Sequence, residues 1–481
     1  MVRTLSRIAA GGLSRKTGHR GDNRKLGCGI GLMTAALTCV IVLITAPTAS
    51  ADPPNMMPIP GQIPKDINRA VPLPPIPKLT AIPARSRTPE LNFAMQELRE
   101  ATMPSPTGDP LFDRWPTDLA ALQPGTIIAQ RNVTATAAPI VTAPIISARL
   151  LKFRSTDATG QPSWGTATIL VPNQPHRGPR PILVNNLPTD SLGSKCTAGY
   201  TMAHGFSLIT SGKTDLFPPT TQLALARGYS VLVPDHEGPR MAYGEPTVAA
   251  HVILDAIRAI TNLDPQAFGQ SRIAMTGYSG GAIATNGATK LVGSYAPELA
   301  SRIVGAAMGG VPADFRMLVG SMNANLGTGL FHAATFGISR ERPEIIPMAN
   351  NLARWLATSP LKDICSTPSS VGGVSMFPMQ LLSSDPDPFH SPVAENIYRI
   401  TKMADVKSVV PLYIYQGTYE WWIPAAGARN LFGEQCRMGT NATYQDIPGE
   451  HLTTAVFGFP GALQWLDQRL QGVPPRNGCP R

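Results

Sequence analysis

The pentapeptide Gly277-Tyr278-Ser279-Gly280-Gly281 constrains this chain more than any other stretch. Before it runs Arg272-Ile273-Ala274-Met275-Thr276, an apolar and β-branched run that reads as a buried strand. After it come Ala282-Ile283-Ala284, small residues in a helical pattern. G-x-S-x-G between strand and helix marks a sharp turn that holds a serine hydroxyl out on a strained backbone. Side chains two residues either side would collide with the strand or the helix, which accounts for Gly277 and Gly281. The helix beginning at Gly280 adds the positive end of its dipole, which stabilises negative charge developing beside the serine. Ser279 is read as a nucleophile.

A serine nucleophile needs a base, and in folds built on this turn the chain order is serine, acid, histidine. Of eight histidines, only His332, His390 and His451 follow Ser279. The first two fall in or beside a Met-, Phe-, Gly- and Pro-rich segment. His451 follows the last strand candidate, in Pro448-Gly449-Glu450-His451, and a loop at the carboxyl edge of a sheet is where the base must sit. The acid should end a late strand. The strand pattern at 412–416 leads into Gly417-Thr418-Tyr419-Glu420-Trp421-Trp422-Ile423-Pro424, which offers Glu420. Asp446 is its rival, but it lies inside the final strand pattern and only five residues before His451. Glu420 is preferred.

Around this centre, strand-like runs occur at 145–153, 165–171, 182–186, 229–234, 272–278, 302–307, 411–416 and 443–447. Helical patterns appear at 220–226, at 249–260 and after Ser279. The alternation predicts an α/β fold with a mostly parallel central sheet. Residues 314–391 break it, with helical candidates at 316–325 and 346–357, and read as an inserted helical cap or lid. The core is thereby divided into 90–313 and 392–481.

The N-terminal part has a different character. Residues 52–89 hold eleven prolines, which predicts an extended polyproline-like arm without helix or interior strand. Residues 1–51 carry seven Lys or Arg against one acid, then an apolar run from Leu26 to Ala46 and Ala49-Ser50-Ala51. This is the pattern of a secretory signal, with cleavage expected after Ala51. It takes six of the ten net positive charges with it. The remaining +4 on 430 residues is modest and gives no support for nucleic-acid binding. Four cysteines remain, Cys196, Cys365, Cys436 and Cys479; an even count in an exported chain suggests two disulfides, in any of three pairings.

From about Asp109 onward the chain resembles the secreted lipase family of fungal lipase A and its actinobacterial relatives, within the α/β-hydrolases. The resemblance is carried by Asp109-Pro110-Leu111-Phe112, by Trp115-Pro116 and Pro124-Gly125 with Arg131, and by Asp190-Ser191-Leu192-Gly193 followed by Cys196. Gly228-Tyr229, Pro234-Asp235-His236-Glu237-Gly238 and Leu254-Asp255-Ala256-Ile257-Arg258-Ala259 continue it, with the elbow and Gly449-Glu450-His451. The resemblance implies an oxyanion hole made by the backbone amides of Asp190 and Gly280. It also implies the pairings Cys196–Cys365 and Cys436–Cys479. The family usually has Asp where this chain has Glu420. Asp235 and Arg258 are expected to be structural, a strand-end turn and a helix-face pair.

The expected activity is hydrolysis of carboxylic esters through an acyl-enzyme, with Ser279, His451 and Glu420 as the triad and with no metal or organic cofactor. Met317, Met322, Met348, Met376, Met379, Phe331, Phe336 and Phe377 of the cap are candidates to line an acyl tunnel or a lid. The expected partner is a lipid or other ester substrate, with transient contact to a lipid interface through the cap. Acyl transfer to an envelope or alcohol acceptor would use the same residues. A catalytically silent surface-binding protein would keep the scaffold without the chemistry.

Overall fold

A computed structural model describes residues 53–207 and 219–480; the signal segment expected over 1–51 lies outside the described residues. The strands are β1 (Ile127–Asn132), β2 (Ile145–Thr156), β3 (Pro162–Pro172), β4 (Ile182–Asn186), β5 (Ser230–Pro234), β6 (Ile273–Tyr278), β7 (Ile303–Gly309), β8 (Leu412–Gly417) and β9 (Ala442–Ile447). They form one sheet in the order β1-β2-β3-β5-β4-β6-β7-β8-β9. The pairs β1/β2, β2/β3 and β3/β5 are antiparallel, and every pair from β5 through β9 is parallel.

The parallel part is built from short apolar runs because both its faces are covered. Every residue of β4, β5 and β6 is buried. On one face, Val252, Ile253 and Ile257 of the helix Pro246–Leu263 pack with Ala284 and Ala288 of Gly280–Tyr295 against Val184 and Met275 of the sheet. On the other, Leu183, Val231 and Ala274 meet Ala224, Leu225 and Leu466. β4 lies between β5 and β6, so successive crossovers leave it in opposite directions. The crevice at the carboxyl ends of β4 and β6 is the topological switch point, where α/β sheets place their ligands.

All eight expected strands are present, and the ninth, β1, was not expected. Its sequence Ile-Ile-Ala-Gln-Arg-Asn lies on the sheet edge with no fully buried residue, so it carries little apolar signal. Between β7 and β8 the named elements are helices, among them Phe315–Met322, Thr328–Glu341, Asn351–Thr358 and Ser366–Gly372. The run continues through Pro392–Lys402, beyond the expected boundary at 391.

The reading of the arm as wholly extended is corrected. Gln62–Ala70 is an α-helix, with Pro64 inside its first turn. A proline there costs nothing, since that amide has no intrahelical partner, and the six residues that follow hold no proline. The arm lies against the helices between β7 and β8. Met56 is buried with Val319, Met379 and Leu382. Asn323 Nδ2 donates to the Asn55 carbonyl at 2.6 Å, and Trp355 Nε1 to that of Pro72 at 2.8 Å.

Two disulfides close the fold, Cys196–Cys365 and Cys436–Cys479. The first joins the segment after β4 to the helices between β7 and β8. Arg340, fully buried in the cap helix Thr328–Glu341, binds the same regions together. It donates to the carbonyls of Thr102, Leu192 and Arg240 at 3.0, 2.7 and 2.9 Å.

Candidate active site

Ser279 sits between β6 and the helix Gly280–Tyr295 with φ 55° and ψ −122°. A non-glycine residue there is strained, and the surrounding contacts hold it. Its N–H donates to the Gly309 carbonyl at 3.0 Å. A methyl group on Gly277 would stand 2.1 Å from the Gly281 carbonyl oxygen, and one on Gly281 would stand 1.9 Å from that of Asn186. Both glycines are therefore required by the close approach of backbone on either side of the serine.

His451 Nε2 lies 3.0 Å from Ser279 Oγ, and His451 Nδ1 lies 2.9 Å from Glu420 Oε2. The Glu420 side chain is fully buried, and that of His451 is nearly so. The histidine was expected in a loop but opens a helix, His451–Phe457. Glu450 caps that helix, accepting from the amides of Leu452 and Thr453 at 3.0 and 2.8 Å. The amphipathic signal of so short a helix is weak, since three of its residues face inward.

The remaining candidates lie elsewhere. Asp446 is half-exposed and pairs with Arg429 at 2.8 Å. His390 Nδ1 is 2.6 Å from Asp387. His332 is enclosed in the cap, where burial pushes its ring pKa down to about 4.

Several contacts that position the site were not legible beforehand. The Tyr278 hydroxyl donates to the His451 carbonyl at 2.5 Å. The Trp422 ring meets the His451 ring edge-on, with centroids 4.9 Å apart. Gln416, at the end of β8, accepts from the Val311 amide at 2.9 Å and donates to the Ile423 carbonyl at 3.0 Å, which fixes the loop carrying Glu420. Each depends on residues distant in sequence, so no local pattern announces it.

Asp190 follows β4 at the same carboxyl edge, with φ 47°. Its carboxylate lies against Gly280, where an added Cβ would be 1.8 Å from Oδ1. The two residues named for the oxyanion hole are thus neighbours. Burial, with the Asp190 charge nearby, pushes the Glu237 carboxyl well up. Asp235 accepts from Thr166 Oγ1 and the Gly199 amide at 2.6 and 2.9 Å, holding the end of β5 to its neighbours. Arg258 pairs with Asp255 at 2.9 Å on one helix face. Among the described residues, no group of three or more His, Cys, Asp or Glu is placed to hold a metal ion.

Ser279 opens into a cavity lined almost wholly by apolar side chains. Residues between β7 and β8 supply most of its walls. Met322, Met348, Met379, Phe331 and Phe336 line it; Met317, Met376 and Phe377 do not. Leu330 and Phe389 add to an almost wholly apolar lining.

A family model described as secretory lipase matches residues 216–478. A secreted triacylglycerol lipase of Malassezia globosa is 28% identical, covering 74% of this chain and 77% of that protein. A probable inactive lipase of Mycobacterium tuberculosis is 27% identical, covering 79% and 86%. The X-ray structure of Candida antarctica lipase A in its closed state is similar with a TM-score of 0.70 at 26% identity, covering 79% of this chain and 89% of that one. With its family model matched over more than half its length, the chain belongs to the secretory lipase family and has the fold of the α/β-hydrolases.

Proposed function

We propose that the protein is a secreted carboxylic-ester hydrolase that works through a covalent acyl-enzyme on Ser279. The observation that carries this reading is the run of contacts Glu420–His451–Ser279, at 2.9 and 3.0 Å, facing an apolar cavity. His451 takes the proton as Ser279 Oγ attacks the ester carbonyl. Glu420 orients the imidazole and balances its positive charge. The amides of Asp190 and Gly280 receive the oxyanion; one such donor typically contributes about 3–4 kcal/mol to lowering the barrier. His451 then protonates the leaving alcohol, and water repeats the sequence to release the acid.

The substrate class follows from the cavity wall. An almost uncharged lining suits an acyl chain better than a peptide, whose amides would lose their hydrogen bonds to water. Residues 314–391 act as the cap over this chain-binding space, with export directed by 1–51. The deciding experiment is turnover of p-nitrophenyl esters from C2 to C16 by the wild type and by Ser279→Ala. Activity retained in a clean, folded Ser279→Ala preparation rules out the nucleophile. A profile that peaks at C2 rules out the acyl cavity.

The Mycobacterium tuberculosis relative described as a probable inactive lipase gives a specific reason to test for a silent site. Labelling with a fluorophosphonate separates the two readings, because an unactivated serine does not react.

A further inference from the structure

The helix His451–Phe457 buries His451, Thr454 and Ala455. Leu452, Val456 and Phe457 face solvent, at 66%, 47% and 69% exposure. An ordinary surface helix turns its polar residues outward, so this one is inverted. The loop carrying Glu420 repeats the inversion, with Tyr419 and Trp421 exposed by 75% and 47%. Glu420 and His451 touch, and the Tyr419 amide donates to the Gly449 carbonyl at 3.0 Å. The exposed neighbours of both residues therefore share one rim.

Along 449–457 the one side chain with a full charge is Glu450, part-buried as the cap of the helix. The helix His-Leu-Thr-Thr-Ala-Val-Phe contains no Asp, Glu, Lys or Arg. In residues 419–424 the sole such residue is Glu420, whose side chain is fully buried against His451. Trp421 contacts Trp422, with ring centroids 5.2 Å apart, and Trp422 lines the cavity with Ser279. Apolar surface thus runs from the outside of the molecule into the cavity. A nucleic acid or an acidic peptide would find no cation here, whereas an uncharged lipid phase requires none.

We propose that this rim, formed by the helix behind the histidine and the loop around Glu420, docks the protein on an uncharged lipid-ester surface. The docking face is thus assigned to the hydrolase core and not to the cap. The purpose of the contact rests on the ester-hydrolase reading, but the contact itself does not need a reactive serine. Docking brings an ester group to the cavity mouth with its acyl chain already in an apolar phase.

The test uses the full mature chain carrying Ser279→Ala, so that the surface is not consumed. Flotation with phosphatidylcholine vesicles containing triacylglycerol should show binding that is insensitive to salt up to about 0.5 M NaCl, where exposed charges are screened. Val456→Ser with Phe457→Ser should lower the partition at least tenfold, and Tyr419→Ser, from the other element, should lower it severalfold. Val371→Ser with Val374→Ser, on the cap, should leave it unchanged. Binding that survives both rim variants, fails with the cap pair, or is abolished by salt overturns the proposal. So does a wild-type dimer that the rim variants dissociate without any vesicle binding, since the face would then belong to a second copy. If fluorophosphonate fails to label the wild type while flotation behaves as expected, the hydrolase reading fails and the docking face stands.

Discussion

The hydroxyl of Tyr278 donates to the backbone carbonyl of His451 at 2.5 Å, so the residue before Ser279 holds the histidine whose ring faces the serine hydroxyl. Gly310 packs against both, and a methyl group there would stand 2.7 Å from His451 Cε1 and 2.8 Å from Tyr278 Cζ. Tyr278→Phe removes one hydrogen bond from that carbonyl, at a cost of about 1 kcal/mol. The expected result is a lower urea midpoint and a kcat reduced about tenfold with KM little changed. A drop in KM binding alone, with kcat intact, would contradict the positioning role.

The resemblance implies Asp where this chain has Glu420, whose Oε2 lies 2.9 Å from His451 Nδ1. Glu420→Gln should reduce kcat about 10³-fold or more, because the imidazole loses the anion that balances it. Glu420→Asp withdraws the carboxylate by about 1.5 Å, one carbon–carbon bond. Its kcat should fall between those of the wild type and Glu420→Gln. Full activity in Glu420→Asp would show that the longer side chain is not needed; p-nitrophenyl butyrate kinetics decide it.

Much of the candidate site's arrangement was legible because its demands are local. The elbow needs glycines at fixed places, and chain order leaves few candidates for base and acid. Trp422 and Gln416 were not legible, since each acts through contacts with residues far along the chain. β1 escaped notice because an edge strand with no fully buried residue has no need of an apolar pattern. The helix Gln62–Ala70 was hidden by proline density, which describes the whole arm but not its proline-poor stretch. The disulfide pairing came with the family resemblance; spacing alone left three choices.

Two glycines should respond in opposite ways. Gly281→Ala drives a methyl group into the Asn186 carbonyl, 1.9 Å away, and should destabilise the fold by about 3 kcal/mol or more. Gly372 has nothing within 4 Å of an added Cβ, and its φ is −57°. Gly372→Ala should therefore be neutral or stabilising by up to about 1 kcal/mol. Thermal melting of both variants checks the contrast.

Acid sensitivity should centre on Asp109. Arg131 donates to both its oxygens, at 2.6 and 2.8 Å, and holds the carboxyl far below the usual carboxylate range. With the folded pKa depressed, the stabilisation is fully present above about pH 4, the unfolded value, and fades as pH falls below it. Asp109→Asn should cost about 2 kcal/mol at pH 7, and the gap to wild type should narrow towards pH 2. Urea titrations at the two pH values test this; a gap independent of pH would assign the loss to packing.

The joining of the helical segment between β7 and β8 to its surroundings has a mechanical consequence. It is spliced into the chain between β7 and β8, bolted to the segment after β4 through Cys365, and buckled along its flank by the arm. A plate moored on several sides cannot swing like a door on one hinge. Any widening of the cavity over Ser279 must then come by rotation of side chains and by yielding of short stretches between the moorings, one of which is a covalent bond.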